Sequence, residues 1–320
     1  MDETDRYQIM NRIKQYIIFS LIAFTWLSAG SKGSYAGGFL RMGSSARAMA
    51  MGSGFTAEID KGFAAYHNPA SLVFIQNRQL GFSHHFLPLS RRFMAANFST
   101  PLPPSASLGV AWVSAGTDQI DGRTSAGEHT QYLSTSEDAF IISFAQKILP
   151  WFSAGLNIKI LKHQLPMNTM DLAGKGMGVD FGVFIHTEKG ANLAFMVQDL
   201  NSRYQWKTDK IFERGKVYVE QFPTLYRVGT TFQYGKVYVA TDGGMVMNGN
   251  ELLGYSLRIG GEYPYLDHYF IRAGLGNGRM SVGVGVDWSL LNGNDGKLDY
   301  AFVFENPAGT AHIFTYAFSF

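Results

Sequence analysis

The sequence predicts an all-β protein: a transmembrane antiparallel β-barrel of about 14 strands with a small N-terminal hatch. The clearest sign is the C-terminal segment 312–320, where Phe314, Tyr316, Phe318 and Phe320 alternate with small or polar residues. Because a strand repeats every two residues, this alternation produces one wholly aromatic face. Such a face at a chain terminus suits a strand in contact with lipid better than the last strand of a soluble sandwich.

Composition favours the same class. Charged residues make up 16% of the 320 residues, aromatic residues make up 14%, and 36 residues are glycine, whereas soluble domains contain about 25% charged residues. Beyond the N-terminus there is no run of about twenty apolar residues, which excludes spanning helices there. The chain has no cysteine and a net charge of only +2. We therefore expect no disulfide framework, no thiolate metal site and no nucleic-acid partner.

The N-terminus has the pattern of a secretory signal peptide. Two basic residues, Arg12 and Lys14, precede an apolar run over 16–27, and small residues that suit a cleavage site follow. The sequence thus predicts a signal peptide over 1–36 that is cleaved after Ala36. The apolar run is short for a membrane span, and an uncleaved anchor is the alternative.

Residues 37–77 differ from the rest of the chain, since they lack two-residue alternation and are rich in small side chains. The segment 44–50 favours a short helix, because alanine and methionine are good helix formers and a serine can cap the first turn. The segment 68–72 contains Asn-Pro and favours a turn. We interpret 37–77 as a compact hatch inside the barrel.

From residue 78 to the C-terminus, alternating segments follow one another, most of them close to the ten residues that a tilted spanning strand needs. In 280–288 the valines share one face, while glycines and Asp287 share the other. The inward glycines leave room for a hatch. The barrel is therefore predicted over 78–320. Its fourteen predicted strands are 78–87, 91–99, 106–115, 137–147, 151–162, 176–187, 191–199, 223–234, 236–242, 252–263, 268–275, 279–288, 297–304 and 311–320.

The lengths of the connections predict which end of the barrel faces outward. Long polar connections at 116–136, 163–175 and 200–222 alternate with short turns. In an even-stranded barrel with both termini in the periplasm, the long connections are the outer loops. The main soluble alternative, a β-propeller, would repeat every 40–50 residues, and the sequence has no such repeat.

Strand parity also predicts which side chains point into the barrel. Asp180, Phe184, Tyr238 and Asp287 fall on the inward parity of their strands and are the candidate lumen residues. Phe184 and Tyr238 leave open a path for a hydrophobic ligand. The pattern favours an aromatic girdle at the membrane interface that contains Trp112, Trp151, Trp206 and Trp288.

The N-terminal motifs resemble those of a known family. The segment 39–52, together with the Asn-Pro-Ala segment 68–70, is similar to the opening of PorV/PorQ-type outer-membrane proteins, which are FadL-like barrels. The resemblance implies a fourteen-stranded barrel with an N-terminal hatch, in the outer membrane of a Gram-negative-type bacterium. The hatch-motif residues that match are Arg47, Gly52, Asn68, Pro69 and Ala70.

The sequence favours a protein that is not an enzyme. It has neither the Gly-x-Ser-x-Gly motif of a nucleophile elbow nor the His-Glu-x-x-His motif of a zinc protease. His84 and His85 are adjacent, so they lie on opposite faces of a strand and do not readily share a metal. We expect no cofactor and no bound metal.

Two functions remain open. PorV/PorQ relatives include outer-membrane components of type IX secretion, so the resemblance implies a part in protein secretion or surface attachment. Secretion-system or cargo proteins would then contact the outer loops 116–136, 163–175 and 200–222. The alternative is a FadL-like transporter of small hydrophobic molecules, whose hatch gates a lumen. Outer-membrane lipid and the barrel-assembly machinery are partners expected on either hypothesis.

The terminal strand generates the first prediction. A last strand that ends in Phe320 is similar to the assembly signal of bacterial outer-membrane barrels. Deleting Phe320 is expected to lower the yield of folded barrel in the outer membrane, as measured by membrane extraction and heat-modifiable electrophoresis. A normal folded yield would count against the signal.

Overall fold

The computed structural model describes residues 35–166, 172–187, 190–209, 213–290, 294–305 and 307–320. They form a closed antiparallel β-barrel around a small helical hatch. The predicted signal peptide lies outside these ranges except for Tyr35 and Ala36. No helix in the described ranges is long and apolar enough to cross a membrane.

The hatch precedes the first strand and consists of four short elements. They are a 3-10 turn at Gly38–Arg41, helix α1 at Ala46–Ala50, helix α2 at Ala64–His67 and a 3-10 helix at Pro69–Phe74. The Oγ of Ser45 accepts a hydrogen bond from the N–H of Ala48 at 3.0 Å and so caps α1. The predicted helix therefore forms, beginning at Ala46, and the predicted Asn-Pro turn is the start of the second 3-10 helix.

Fifteen strands follow the hatch. They are β1 Gln79–Phe86, β2 Arg91–Leu102, β3 Ala106–Arg123, β4 His129–Leu149, β5 Phe152–Leu165, β6 Leu172–His186, β7 Asn192–Lys207, β8 Val217–Gln221, β9 Thr224–Tyr234, β10 Val237–Asn248, β11 Glu251–Tyr265, β12 Tyr269–Gly276, β13 Arg279–Leu290, β14 Asn294–Glu305 and β15 Gly309–Ser319.

These strands fill fourteen barrel positions, which confirms the predicted fold class. Strand β1 pairs with β15, and β6 pairs with β7, so the ring is closed. Strands β8 and β9 both pair with β7, at different heights. They are two halves of one barrel strand, interrupted at Phe222 and Pro223, because proline has no N–H to continue the ladder.

The first and last strands define two ends of the barrel. Gln79 pairs with Ser319, so β1 begins and β15 finishes at the same end, which we call the proximal end. The opposite end, which we call the distal end, carries the β3–β4 and β7–β8 hairpins. It is the end that the sequence predicts to face outward.

The predicted long loops are wrong in extent. Much of 116–136, 163–175 and 200–222 is strand, and the β3–β4 connection is reduced to 124–128. Strands β3 and β4 continue as a paired hairpin beyond the barrel wall, with the register shifted near Ile120. A hairpin with water on both faces has no apolar face, so its sequence lacks the alternation that marks a spanning strand.

The outward surface of the barrel is an apolar belt. Phe82, Ile158 and Val284 are 48%, 40% and 52% exposed, respectively, and a soluble monomer rarely exposes so much contiguous apolar surface. On β15 the aromatic side chains of the C-terminal segment share this outward face: Phe314, Tyr316 and Phe320 are exposed and Phe318 is half-buried. The belt is the surface that a spanning barrel presents to lipid.

Inward-facing glycines let the hatch backbone approach the wall. A Cβ added to Gly283 would lie 2.5 Å from the Cβ of Ala50 in α1. From the hatch side, Gly52 has φ +66°, and a Cβ there would lie 2.6 Å from the carbonyl oxygen of Leu275. Gly52 thus meets two requirements that only glycine satisfies without strain, a left-handed backbone and a close contact.

This packing generates a prediction about two glycines in mid-strand. Gly283→Val is expected to destabilise the barrel by about 1–3 kcal/mol, because the added side chain overlaps α1. Gly243→Val is the control, since Gly243 faces outward with nothing within 4 Å of an added Cβ, and valine suits a strand. Urea unfolding in lipid vesicles, followed by tryptophan fluorescence, measures both. Equal losses would contradict the proposed fit between hatch and wall.

Candidate functional site

The Asn-Pro-Ala segment fastens the hatch to one side of the barrel. Asn68 is fully buried, and its Nδ2 donates to the carbonyl oxygen of Val183 on β6 at 3.2 Å. The Oγ of Ser153 on β5 donates to the carbonyl oxygen of Ala70 at 2.7 Å. Pro69 occupies the first turn of the 3-10 helix, where a missing N–H is tolerated. The predicted motif thus holds the hatch against β5 and β6.

Arg47 fastens the hatch to the opposite side. Its Nε lies 2.8 Å from Oε2 of Glu262 on β11, and its Nη1 lies 2.7 Å from Oε1 of Glu58 in the hatch. Arg272 on β12 extends the network, with Nε 2.5 Å from the same oxygen of Glu262. All these groups are buried, so each charge depends on its partners rather than on water.

The hatch groups of this network are held in their charged forms. Burial disfavours the charge on Arg47, but the carboxylates of Glu262 and Glu58 outweigh burial and raise its pKa well above the ordinary value. Burial likewise acts to raise the pKa of Asp60. A hydrogen bond from His67 and the charge of Arg47 outweigh that effect and lower the pKa of Asp60 below its ordinary value.

A second buried ion cluster contains the candidate lumen residue Asp180. The Nζ of Lys159 on β5 lies 2.6 Å from Oδ1 of Asp180 and 2.5 Å from Oδ1 of Asp199 on β7. Asn157 donates to the other oxygen of Asp180 at 3.1 Å. Asp180 therefore points inward but forms part of a paired cluster rather than an open polar channel.

The other three candidate lumen residues also contact partners inside the barrel. Phe184 packs on Phe74 of the hatch, with ring centroids 5.2 Å apart. Tyr238 donates a hydrogen bond to Glu58. Asp287 lies 3.7 Å from Nζ of Lys297. The structure does not gather the four residues into one site, because the hatch lies between β6 and the strands that carry Tyr238 and Asp287.

Sequence reasoning missed an apolar cluster in the distal half of the interior. Its wall residues face the barrel interior, and they are almost fully buried there by one another and by the hatch. They include Phe93, Val113, Ile141, Leu161, Tyr204, Trp206 and Phe222, and the hatch adds Phe39, Leu40, Phe63 and Tyr66. We call this set the distal apolar chamber. Its signal in the sequence is the loss of alternation, as in Ile160-Leu161, where both faces of a strand are apolar.

Aromatic rings form the side of the chamber next to β7. The ring centroids of Tyr204 and Phe222 lie 4.9 Å apart, and those of Trp206 and His163 lie 5.1 Å apart. The polar edges of the rings are satisfied outside the apolar region, since Trp206 Nε1 donates to Glu220 at 3.0 Å. Trp206 belongs to this interior surface and not to the predicted membrane girdle.

The first residues of the hatch close the chamber. We call 37–42 the cap segment. Gln198 on β7 donates to the carbonyl oxygen of Leu40 at 2.9 Å, and the hydroxyl of Tyr66 donates to the carbonyl oxygen of Met42 at 2.6 Å. Gly37 has φ +73° and lies against the ring of Phe222, where a Cβ would overlap the ring. The cap segment thus begins at a residue that must be glycine.

The proximal half of the interior is polar next to β9–β12 and apolar around the second 3-10 helix. A cavity of about 300 Å³ opens near the β9–β10 turn and reaches Arg47, Glu58 and Glu262. The hatch therefore separates a charged proximal cavity from the distal apolar chamber. Among the residues that the structure describes, no group of three or more His, Asp or Glu side chains is arranged to hold a metal ion.

Comparison with known proteins identifies similar folds only. No protein-family model matches the sequence, and no curated protein matches it. Three solved structures of 12–13% identity are similar in fold. The Pseudomonas putida toluene transporter TodX has a TM-score of 0.61, over 87% of this chain and 99% of that one. The Ralstonia pickettii toluene transporter TbuX has a TM-score of 0.60, over 86% of this chain and 97% of that one, and a Pseudomonas aeruginosa FadL homologue has a TM-score of 0.58, over 91% and 99%. The chain thus has a FadL-like barrel fold, and the more specific PorV/PorQ resemblance stays a prediction.

The Arg47 network generates a prediction about the hatch. Arg47→Ala is expected to cost about 3–5 kcal/mol, because it leaves Glu58 and Glu262 buried without their shared cation. Urea unfolding in vesicles measures the loss, and limited proteolysis tests whether the hatch is released. Arg123→Ala is the control, since its ion pair with Asp121 lies in the exposed distal hairpin, where such pairs contribute little. An Arg47 variant as stable as the control would show that the network does not hold the hatch.

Proposed function

We propose that the protein is a bacterial outer-membrane barrel that passes small hydrophobic molecules, which enter from the distal end. The distal apolar chamber carries this proposal. A water-filled porin has a polar interior, whereas Phe93, Val113 and Leu161 point inward here and are at most 1% exposed. An interior of this kind excludes ions and favours apolar molecules, because burial of apolar surface is the dominant gain on binding.

The cap segment gives the chamber its gate. Phe39 and Leu40 occupy the chamber, so a ligand enters when these two side chains leave. The segment is fastened at Leu40 and Met42 by hydrogen bonds between uncharged groups, each of which contributes only about 0.5–1.5 kcal/mol net. Opening of the cap therefore leaves the Arg47 network in place, although it moves Arg41, a cap residue whose charge interacts with Asp199 of the second cluster. The similar folds include proteins described as toluene transporters, and this description supports the choice of ligand class.

A part in protein secretion is the second candidate, and the distal hairpins favour it. Within the described strands, β8 pairs only with β7, so its other edge is open. Val217, Tyr218 and Val219 on β8 are each 47–64% exposed. An open strand edge can add an extended segment of another protein by backbone hydrogen bonding. The predicted contacts through 116–136, 163–175 and 200–222 would use this surface.

A crosslink across the cap tests the transport proposal. The natural chain has no cysteine, so Leu40→Cys with Gln198→Cys introduces a unique pair at the point where the cap contacts β7. Joining the two thiols with a short bifunctional reagent is expected to abolish most of the uptake of radiolabelled toluene by whole cells that express the barrel. The two single variants, treated with the same reagent, should retain uptake. Full uptake by the crosslinked protein would contradict the gate, and no uptake by the natural protein would contradict the proposed ligand class.

A further inference from the structure

The seam between β6 and β7 is irregular in its distal half. Its register shifts twice, between Met177 and Val179 and between Val179 and Phe181. The extra residues are on β7, where Asp199 and Asn201 have φ of 63° and 50°. Such values are uncommon away from glycine and mark a β-bulge. Among the other described pairs of neighbouring barrel strands, β3–β4 also shifts register twice, but in the hairpin beyond the wall, and the rest shift at most once.

The bulged strand leaves a groove on the outer surface of the wall. On the inner face, a Cβ added to Gly176 or Gly178 would overlap the backbone of Arg203 or the side chain of Ser202. The β7 backbone therefore presses inward against the glycines of β6. A groove of about 380 Å³ remains, lined by Met177, Val179 and Leu200 toward the proximal end, by Lys175 and Gln205 toward the distal end, and by Arg203 level with Met177.

Unpaired cations surround the distal part of the groove. Lys162 on β5 lies directly opposite Lys175 on β6, and like charges in such a pair destabilise a sheet. Arg203 on β7 lies two register positions nearer the proximal end, opposite Met177. Lys162, Lys175 and Arg203 are all exposed, and none is within ion-pair distance of an acidic group of the described chain. Asp138 on β4 lies directly opposite Lys162 on the other edge of β5, and the two side chains do not form an ion pair.

The two lysines lie where the apolar belt stops, and Arg203 lies at its last row. Two residues nearer the proximal end on β5 and β6 are Ile160 and Met177, which are 52% and 63% exposed, and Leu200 on β7 is 37% exposed. The aliphatic side chains lie at the depth of the lipid acyl chains, and the two lysines lie next to them at the depth of the headgroups. The two sets therefore fit the two parts of a lipid, an acyl chain and a charged headgroup.

We propose that this groove binds a lipid with a phosphate-bearing headgroup. Its acyl chain lies along Met177, Val179 and Leu200, and its phosphate lies between Lys162, Lys175 and Arg203. The phosphate relieves the repulsion between the two lysines, and its position on the outer wall makes the site independent of the passage inside the barrel.

Native mass spectrometry of the whole barrel in neutral detergent tests the proposal. The probes are dioleoyl phosphatidylglycerol, the diacylglycerol with the same chains, and inorganic phosphate. One phosphatidylglycerol per barrel is expected to remain bound, in preference to diacylglycerol, while inorganic phosphate does not bind. Lys175→Gln is expected to weaken the phosphatidylglycerol affinity about fivefold, and Lys162→Gln/Lys175→Gln/Arg203→Gln about a hundredfold.

The control removes the same charge elsewhere on the distal surface. Lys207, Arg214 and Lys216 are exposed in the β7–β8 hairpin, and Lys207→Gln/Arg214→Gln/Lys216→Gln should leave the affinity unchanged. An equal loss in the control would overturn the site in favour of non-specific charge attraction. Equal retention of diacylglycerol and phosphatidylglycerol would overturn the role of the phosphate. Retention of inorganic phosphate alone would overturn the acyl-chain groove.

Discussion

The ion pairs between the hatch and the barrel wall are the constraint on which the rest of the structure depends. Arg47 in α1 and Glu262 on β11 are far apart in sequence, yet they meet inside the barrel at 2.8 Å. Neither charge has enough water around it to exist alone. The hatch therefore has one orientation in which its charges are paired, and the wall must have the register that presents Glu262 to it and pairs Arg272 with both Glu262 and Asp299. Glycines such as Gly283 then provide the space that this orientation needs.

The same constraint divides the interior into two unlike halves. The charged groups gather at the middle and the proximal side, where Arg47 and Lys159 anchor two separate clusters. Most of the apolar interior lies on the distal side, where aromatic rings from β7 and the cap segment pack together, while a few ion pairs such as Arg91 with Glu305 lie at its rim. A barrel that only conducted water and ions would have no use for a dry distal half, since apolar side chains there reduce the space for solvent without adding contacts to ions. This asymmetry supports the proposed passage of apolar molecules.

Much of the fold could be predicted because each spanning strand has a two-residue period. All fourteen predicted segments coincide with barrel strands, and even the helix near Ala46 and its serine cap follow from local preferences. The distal extensions of β3 and β4 could not be predicted, because strands with water on both faces have no apolar period. The residues of the candidate site were harder to predict from the sequence. Parity correctly placed Asp180 and Phe184 inside, but no local rule states that Lys159 and Asp199 meet Asp180. The distal apolar chamber was not predicted, because Phe93 and Leu161 are inward-facing apolar residues. The rule that barrel interiors are polar holds for water-filled barrels and does not describe this one.

The energies of the two kinds of contact indicate which part of the hatch moves. Displacing the whole hatch would separate Arg47 from its carboxylates, and breaking one buried pair costs about 3–5 kcal/mol. It would also expose Asn68 and the wall groups that it bonds. Lifting the cap segment breaks two hydrogen bonds between uncharged groups, worth about 0.5–1.5 kcal/mol each, and removes Phe39 and Leu40 from an apolar site that a ligand then fills. The ligand replaces much of the apolar contact that the cap gives up, so the net cost of opening is small when a ligand is present and larger when it is absent. A hatch held by ion pairs at its base and by weak bonds at its cap therefore gives way first at the cap, which is the movement that the proposed passage of an apolar molecule needs.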